Sequence, residues 1–421
     1  MPDPAMPDPI GVPVRRAALK LLDAVLRRGQ VLETALHGAT QGLANPADRA
    51  LTHAIAAEVL RWLPDLDALV DSACQRPLPD DAKARMALRS ALAQALRLGT
   101  PPHAAIATML PLLEGGPKRL VHGVFGTLMR GGAALPELPA LTADVSSRWG
   151  AHWGGAMVEA ARAALIAPRG LDLTLRDAAE TDHWCAMLGG SSLIPGHVRV
   201  SGDVSVPELP GYAEGAWWVQ NIAASMPARL LGQGEGRTVL DLCAAPGGKT
   251  MQLAAAGWRV TAVELSAARA RRLHENLARA GLDAEITVAD VMHWVPPAPV
   301  DAILLDAPCT STGIFARHPD VLYRVRVQDI AAMAAVQAAM LARASAWLKP
   351  GGVLVYATCS LEPEEGEGVI ADARALTIDP IRADACPAIL TPAPQGHLRI
   401  LPAPGLDGFF VARLTQNMTI V

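Results

Sequence analysis

The chain has 421 residues, room for two or three domains that each bury a core, and 51% of them are apolar, which excludes a disordered protein. Its 37 basic and 41 acidic side chains leave a formal charge of −4, so net charge alone gives no sign of a nucleic-acid partner. Six cysteines, at 74, 185, 243, 309, 359 and 386, form no C-x-x-C pair; reduced thiols are expected, with neither a zinc ribbon nor a disulfide framework and no metal.

The opening MPDPAMPDPI lacks a basic n-region and an apolar h-region, so no secretion signal is expected and residues 1–13 read as a disordered tail. From 14 to 132 the pattern is helical: RRAALKLLDAVLRR, DRALTHAIAAEVLRWL and KARMALRSALAQALRLG repeat apolar residues at three-to-four spacing, with prolines closing the turns between them. Basic residues recur here, at Arg15, Arg16, Lys20, Arg27, Arg28, Lys118, Arg119 and Arg130, as a solvated face or a local RNA contact. GGAALPELPALTA reads as a linker, and 142–235 as a small α+β connecting subdomain with a helix near Trp153 to Ile166 and a strand in LDLTLRD.

From 236 to 417 the texture is α/β. TVLDLC, RVTAVEL, AEITVAD, DAILLDAP and GGVLVYATCS are five candidate parallel strands, and LRILPA and GFFVARL a possible antiparallel pair, so a doubly wound, mostly parallel Rossmann-like sheet is expected. Ala331 to Leu348, an Ala-rich run broken by Gln337 and Arg343, reads as an amphipathic helix rather than a membrane span, and a cytoplasmic protein is expected.

The first strand runs into DLCAAPGGKT. Gly248, Lys249 and Thr250 fit the end of a phosphate-binding loop, but Cys243 stands where its first glycine belongs. In a doubly wound sheet ligands sit outside the carboxyl ends of the strands, so Cys243, Ala244, Ala245, Pro246, Gly247, Gly248 and Lys249 face a ligand. Glu264, Asp290 and Asp306 end the next three strands; three acids there suit a cationic, adenosine-containing cofactor better than a triphosphate with its Mg²⁺. An ATP-dependent enzyme is the weaker alternative.

Cys309, in DAPCTSTG, and Cys359, in YATCS, lie fifty positions apart, and adjacent strands four and five bring them to one rim. The chemistry that needs such thiols is methylation at C5 of a pyrimidine. A thiolate adding at C6 makes C5 nucleophilic, and Asp306 is placed to hydrogen-bond N3 of the base. A free cysteine is only a few per cent thiolate at neutral pH, so the site must favour its ionisation.

CAAPGGKT, DAPCTSTGIFARHPDV, LKPGG and YATCSLEPEE together resemble the Nop/Sun family of RNA cytosine-C5 methyltransferases over roughly residues 217 to 415. RPLPDD, the LRLG turn, PPHAAI and the run to LMR resemble a NusB-like RNA-binding domain, a combination similar to bacterial small-subunit rRNA methyltransferases. The resemblance implies a class I methyltransferase domain, S-adenosyl-L-methionine as cofactor, RNA as partner, most plausibly small-subunit rRNA with transfer RNA as alternative, and a monomer with no membrane association. It implies Cys359 as nucleophile, Cys309 as the cysteine that assists release, Asp306 beside them, and Cys243 to Lys249 with Glu264, Asp290 and Asp306 as cofactor residues. Arg317 and His318 fall in the family's target loop; Arg176, Arg269 to Arg272 and Arg324 are further candidates to line an RNA groove. Asn221 replaces an expected Asp, Gly366 a frequent Asn, and LYRVRVQ departs from a Lys-Trp pair. A non-catalytic RNA-binding assembly factor is the other alternative, and it requires neither cysteine.

Overall fold

The computed structural model describes residues 9–168, 170–202 and 204–416. Two compact units emerge: residues 1–166 with 315–325, and residues 167–314 with 326–421. Most of the expected disordered tail, residues 1–8, lies outside the described residues. Val12 and Pro13 do not belong to such a tail, because a proline in the first turn opens a helix there.

The first unit is helical: α1 (Val12–Leu26), α2 (Leu32–Ala39), α3 (Pro46–Arg61), α4 (Leu63–Ser72), α5 (Lys83–Leu96), α6 (Pro102–Met109), α7 (Gly115–Arg130), α8 (Ala143–Trp153) and α9 (Gly155–Ile166). Helix α5 is central and buried on nearly every side; Leu88 and Leu92 join Leu21, Leu22, Trp62 and Phe125 in one core. Its two buried arginines are tied to the RPLPDD turn and to α4: Arg85 donates to Leu78 O and Asp71, and Arg89 grips both oxygens of Asp67 at 2.7 Å. Such paired donors are what make a buried guanidinium tolerable. Arg15, counted above among possible RNA contacts, is instead buried and donates to Gln94 at 2.8 Å. Helices α8 and α9 belong to this unit, so the span 142–235 is divided between the two units rather than forming a subdomain of its own.

The second unit opens with a three-stranded antiparallel sheet of β1 (Leu171–Leu175), β2 (His197–Val200) and β3 (Trp217–Val219), ordered β2-β1-β3, with α10 (Thr181–Leu188) between β1 and β2. Helix α11 (Ile222–Arg229) leads into the large sheet: β4 (Thr238–Leu242), α12 (Gly248–Ala255), β5 (Arg259–Glu264), α13 (Ala267–Ala280), β6 (Glu285–Val288) and β7 (Val300–Asp306). After Ile314 the chain enters the first unit, where α14 (Val321–Arg324) is one helical turn, and returns as α15 (Val327–Ser345), β8 (Leu348–Thr358), α16 (Glu367–Ala371), β9 (Leu376–Ile378), β10 (Leu398–Ile400) and β11 (Phe409–Gln416).

Strand order is β10-β11-β8-β7-β4-β5-β6, with β9 also pairing β11. Strands β4 to β8 run parallel, while β9, β10 and β11 join antiparallel. Alternation explains why the parallel strands read as unbroken apolar runs. Val239, Ala302, Leu304, Val355 and Ala357 pack on one face, and Leu240, Leu242, Ile303, Leu305, Leu354 and Tyr356 on the other. Strand order reverses between β4 and β7, which opens a crevice at their carboxyl ends. No described helix is long and apolar enough to cross a membrane.

Candidate active site

The turn after β4 is shaped by backbone demands. Cys243 and Gly247 both have positive φ, 63° and 105°, and a Cβ at 247 would run into Leu273. Cys243 N and Ala244 N donate to Val263 O of β5, so the turn hugs the neighbouring strand before α12 begins at Gly248. Glu264, 2% exposed, braces this turn: it accepts from Ala245 N at 3.2 Å, Ser266 N at 3.0 Å and Arg269 at 3.3 Å. Arg269 also donates to Ala245 O at 2.5 Å, so it is a strut of the turn, with its side chain still 58% exposed. Asp290 lies two residues beyond β6, partly exposed; bonds from Met292 N and His293 hold its carboxyl below the usual range.

Beneath the turn, Thr250 Oγ1 donates to Asp241 Oδ2 at 2.5 Å, while Asp241 Oδ1 is buried without a partner among the described residues. Burial pushes the Asp241 carboxyl up to about 7, and Asp306 and Glu264 add to the effect of burial. Lys249 Nζ meets Asp306 Oδ2 at 2.7 Å and lies 5.4 Å from the centre of the Phe409 ring. Burial works against the charged amine, but Asp306 outweighs it and holds Lys249 protonated.

Cys309 and Cys359 meet, their sulfurs 3.4 Å apart. Gly313 N donates to Cys359 O and Gly408 N to Gly313 O, so the loops after β7 and β8 and the one before β11 lock backbone to backbone. A Cβ at Gly313 would collide with Gly408 O. The two sulfurs have opposite surroundings. A hydrogen bond from Cys309, joined by Ser311 and the Lys249 charge, lowers the Cys359 thiol against burial and Asp306. Cys309 is raised, first by its bond to Cys359 and then by burial and the Glu365 charge. The pair is thus biased towards ionisation of Cys359 rather than of Cys309. Cys243, in the same pocket, is pushed up to about 12 by burial and by Asp306 and Glu264, and stays a thiol.

Several supporting groups carried little sequence signal. Gln337 and Arg343, which mark a polar stripe on α15, are both turned inward: Gln337 donates to Pro308 O at 2.8 Å and to Glu365 at 3.2 Å, and Arg343 to the carbonyls of Val291 and Trp294. Arg399 grips Glu367 through two nitrogens, donates to Ser360 O at 2.6 Å and stacks on Phe410. Its guanidinium fills the space a side chain at Gly366 would need, which accounts for glycine there. Asn221 caps α11 through Ala223 N and donates to Asp172, which accounts for the amide in place of an acid. Of the proposed RNA-facing arginines, Arg176 donates to Ala280 O and Arg324 to Asp320, while Arg271 and Arg272 are exposed. Arg317, His318 and Arg324 all fall in the segment that clusters with the first unit. In that unit Arg16, Lys20, Arg27, Arg28 and Lys83 line a groove of about 1010 Å³ between α1, α2 and α5.

A doubly wound sheet of this strand order, with a glycine turn at the switch point and acids at successive strand ends, defines an S-adenosylmethionine-dependent methyltransferase of Rossmann-like fold. Comparison with known proteins narrows the class. A family model described as 16S rRNA methyltransferase RsmB/F matches residues 228–415, and a NusB family model matches residues 12–114. Ribosomal RNA small subunit methyltransferase B of Xylella fastidiosa is 34% identical over 97% of this chain and 99% of its own, and that of Pseudomonas syringae 35% over 96% of both. In fold, the crystal structure of PH0851 is similar with a TM-score of 0.74, 22% identity, and coverage of 97% of this chain and 100% of that one. NSun6 from Pyrococcus horikoshii, solved with SFG, gives a TM-score of 0.58 at 20% identity, covering 65% of this chain and 98% of its own. The chain belongs to the RsmB/F family of 16S rRNA methyltransferases.

Proposed function

We propose that this protein methylates C5 of a cytosine in small-subunit ribosomal RNA, with Cys359 as nucleophile. The observation that carries the reading is the pair of sulfurs 3.4 Å apart in unlike surroundings, one beside the Lys249–Asp306 ion pair and the other beside Glu365. Cys359 adds to C6 of the base, C5 gains electron density and accepts the methyl group, and loss of the C5 proton then expels the sulfur. Cys309 stands where it can handle a proton during release. Asp306, held by Lys249 at 2.7 Å, is the acid of this reading that acts near the base, at N3 once that nitrogen carries a proton in the adduct.

S-adenosylmethionine supplies the electrophilic methyl group. The residues present fit it: the turn from Cys243 to Gly248 is kept free of side-chain bulk at Gly247, and Glu264 and Asp290 stand at the ends of β5 and β6 for an adenosine. Asp241, with its unpartnered buried oxygen, lies directly under that turn. The groove of the helical unit, where five basic side chains outnumber Asp23 and Asp81, supports RNA as the partner, since a local cationic excess attracts phosphates whatever the net charge.

The test is transfer of labelled methyl from S-adenosylmethionine to unmodified small-subunit rRNA, with a denaturing gel to trap covalent complexes. Cys359→Ala should transfer nothing and form no complex; Cys309→Ala should accumulate a gel-stable RNA adduct. Transfer to bulk tRNA but not to rRNA would change the substrate, and RNA binding without any transfer would leave an assembly factor.

A further inference from the structure

Glu365 is fully buried, six residues beyond Cys359, and the chemistry outlined above gives it no task. Its carboxylate accepts from Thr310 N at 2.9 Å, Thr310 Oγ1 at 2.5 Å and Gln337 Nε2 at 3.2 Å, and the Ser360 hydroxyl acts on it in the same sense. These donors favour the ionised carboxyl and oppose, without cancelling, the rise that burial imposes on it. Thr310 is the neighbour of Cys309, and Gln337 also holds the carbonyl of Pro308 on its other side. The backbone of Glu365 is fixed as well, with its carbonyl accepting from the Tyr356 hydroxyl at 2.7 Å. A buried carboxyl is thus anchored against the loop of one cysteine, while the Lys249–Asp306 ion pair bears on the other.

We propose that Glu365 is the positioning residue that divides labour between the two cysteines: its buried charge, anchored on Thr310, keeps the shared proton on Cys309 and leaves Cys359 the anionic sulfur. This rests on the reading of Cys359 as nucleophile. The groups that face Cys309 are Cys359, Ser311, Glu365 and Tyr356; those that face Cys359 are Cys309, Ser311, Asp306 and Lys249. Cys309 thus faces the Glu365 carboxylate, whereas Cys359 faces Asp306 together with the Lys249 cation paired to it, and two chemically identical thiols become unequal before any RNA arrives. Burial raises the Glu365 carboxyl, and its bonds from Thr310 and Gln337 oppose that rise, so the anchor and the charge depend on the same contacts.

Brief alkylation with iodoacetamide from pH 6 to 9, followed by peptide mass spectrometry, reads which sulfur is ionised. Wild type should label Cys359 at least about tenfold faster than Cys309 near pH 7, the difference expected for one unit in thiol ionisation. Glu365→Gln should narrow that ratio by about tenfold, whereas Glu365→Asp, which keeps the charge, should leave it within about twofold even if activity falls. A purely structural Glu365 would lower stability in both variants without moving the ratio. Thr310→Val, which removes the hydroxyl bond to Glu365 and keeps the bond from Thr310 N, should narrow the ratio in the same direction by a smaller factor, so the matter stays decidable if Glu365→Gln does not fold. Equal labelling in wild type, or an unchanged ratio in folded Glu365→Gln or Thr310→Val, overturns the proposal. Because alkylation needs no RNA, an unchanged ratio beside intact methyl transfer defeats this inference alone, and absent transfer defeats the activity.

Discussion

Asn221 Nδ2 donates to Asp172 Oδ2 at 3.0 Å, joining the start of α11 to the small sheet, and the same carboxylate accepts from Arg199 at 2.6 and 2.9 Å and from Ile222 N at 3.1 Å. Burial acts to raise the Asp172 carboxyl, but His197 and Arg199 bring it down to about 2. Restoring the family's acid by Asn221→Asp keeps the cap on α11 but sets a second carboxylate against the first. The expected cost is about 1–3 kcal/mol at pH 7, shrinking on acidification towards pH 4 as one carboxyl of the pair takes a proton. Denaturant unfolding at both pH values measures it; equal stability of variant and wild type at pH 7 contradicts the account.

Asp172 itself gives a pH window. Its folded value lies below the unfolded one, so its contribution is complete above about pH 4 and is lost as pH falls through about 2. Asp172→Asn should cost about 2–3 kcal/mol at neutral pH, and the gap from wild type should close between about pH 4 and pH 2. A gap independent of pH would assign the loss to packing instead.

The opposite sign holds for Asp241. Its folded value is raised to about 7, so the folded protein keeps a proton that the unfolded chain has released above about pH 4. Stability therefore falls across pH 4 to 7, and Asp241→Asn, which cannot ionise, should flatten that slope. Melting temperatures of the cofactor-free protein at pH 5 and pH 8 decide it: the variant should gain relative to wild type at the higher pH.

Lys249→Met removes the cation facing Cys359 and frees Asp306. Both changes disfavour the thiolate, so alkylation of Cys359 at pH 7 should slow by about tenfold and its pH profile should move to higher pH. Methyl transfer should fall at least as far. An unmoved profile would leave Lys249 a purely structural partner of Asp306.

Gln337→Leu strips one donor each from Pro308 O and Glu365 while preserving volume. Leaving buried acceptors short of a partner costs about 1–3 kcal/mol. Turnover should drop with little change in binding of the methyl donor, measured by isothermal titration, because Gln337 touches the cysteine loop and not the turn after β4.

The parallel strands were legible because a strand covered on both faces reads as an apolar run, and TVLDLC and DAILLDAP have no other economical reading. An acid or a cysteine at such a run's end is then at the crevice by topology alone. What escaped was the identity of partners. The polar interruptions of α15 were consistent with a solvated stripe, since periodicity cannot tell a glutamine in water from one holding Pro308. Arg15 sat in a basic cluster in sequence but points to Gln94, and Arg269 sits in an Arg-rich run yet braces Ala245. Helices α8 and α9 looked like part of a connector because an apolar face announces burial without saying against what.

The excursion of residues 315–325 into the helical unit fixes an order of events during synthesis. Asp320 accepts from Leu32 N at 3.3 Å and the Tyr323 hydroxyl donates to Leu60 O at 2.6 Å, so partners made early on the ribosome wait for ones made late. The helical unit cannot be completed until 325 of the 421 residues have been joined. A truncation ending at residue 166 would lack those partners and leave Trp149 without Phe315, its ring neighbour at 5.2 Å. The two units are thus interleaved in time by their chain, and no single cut yields either one whole.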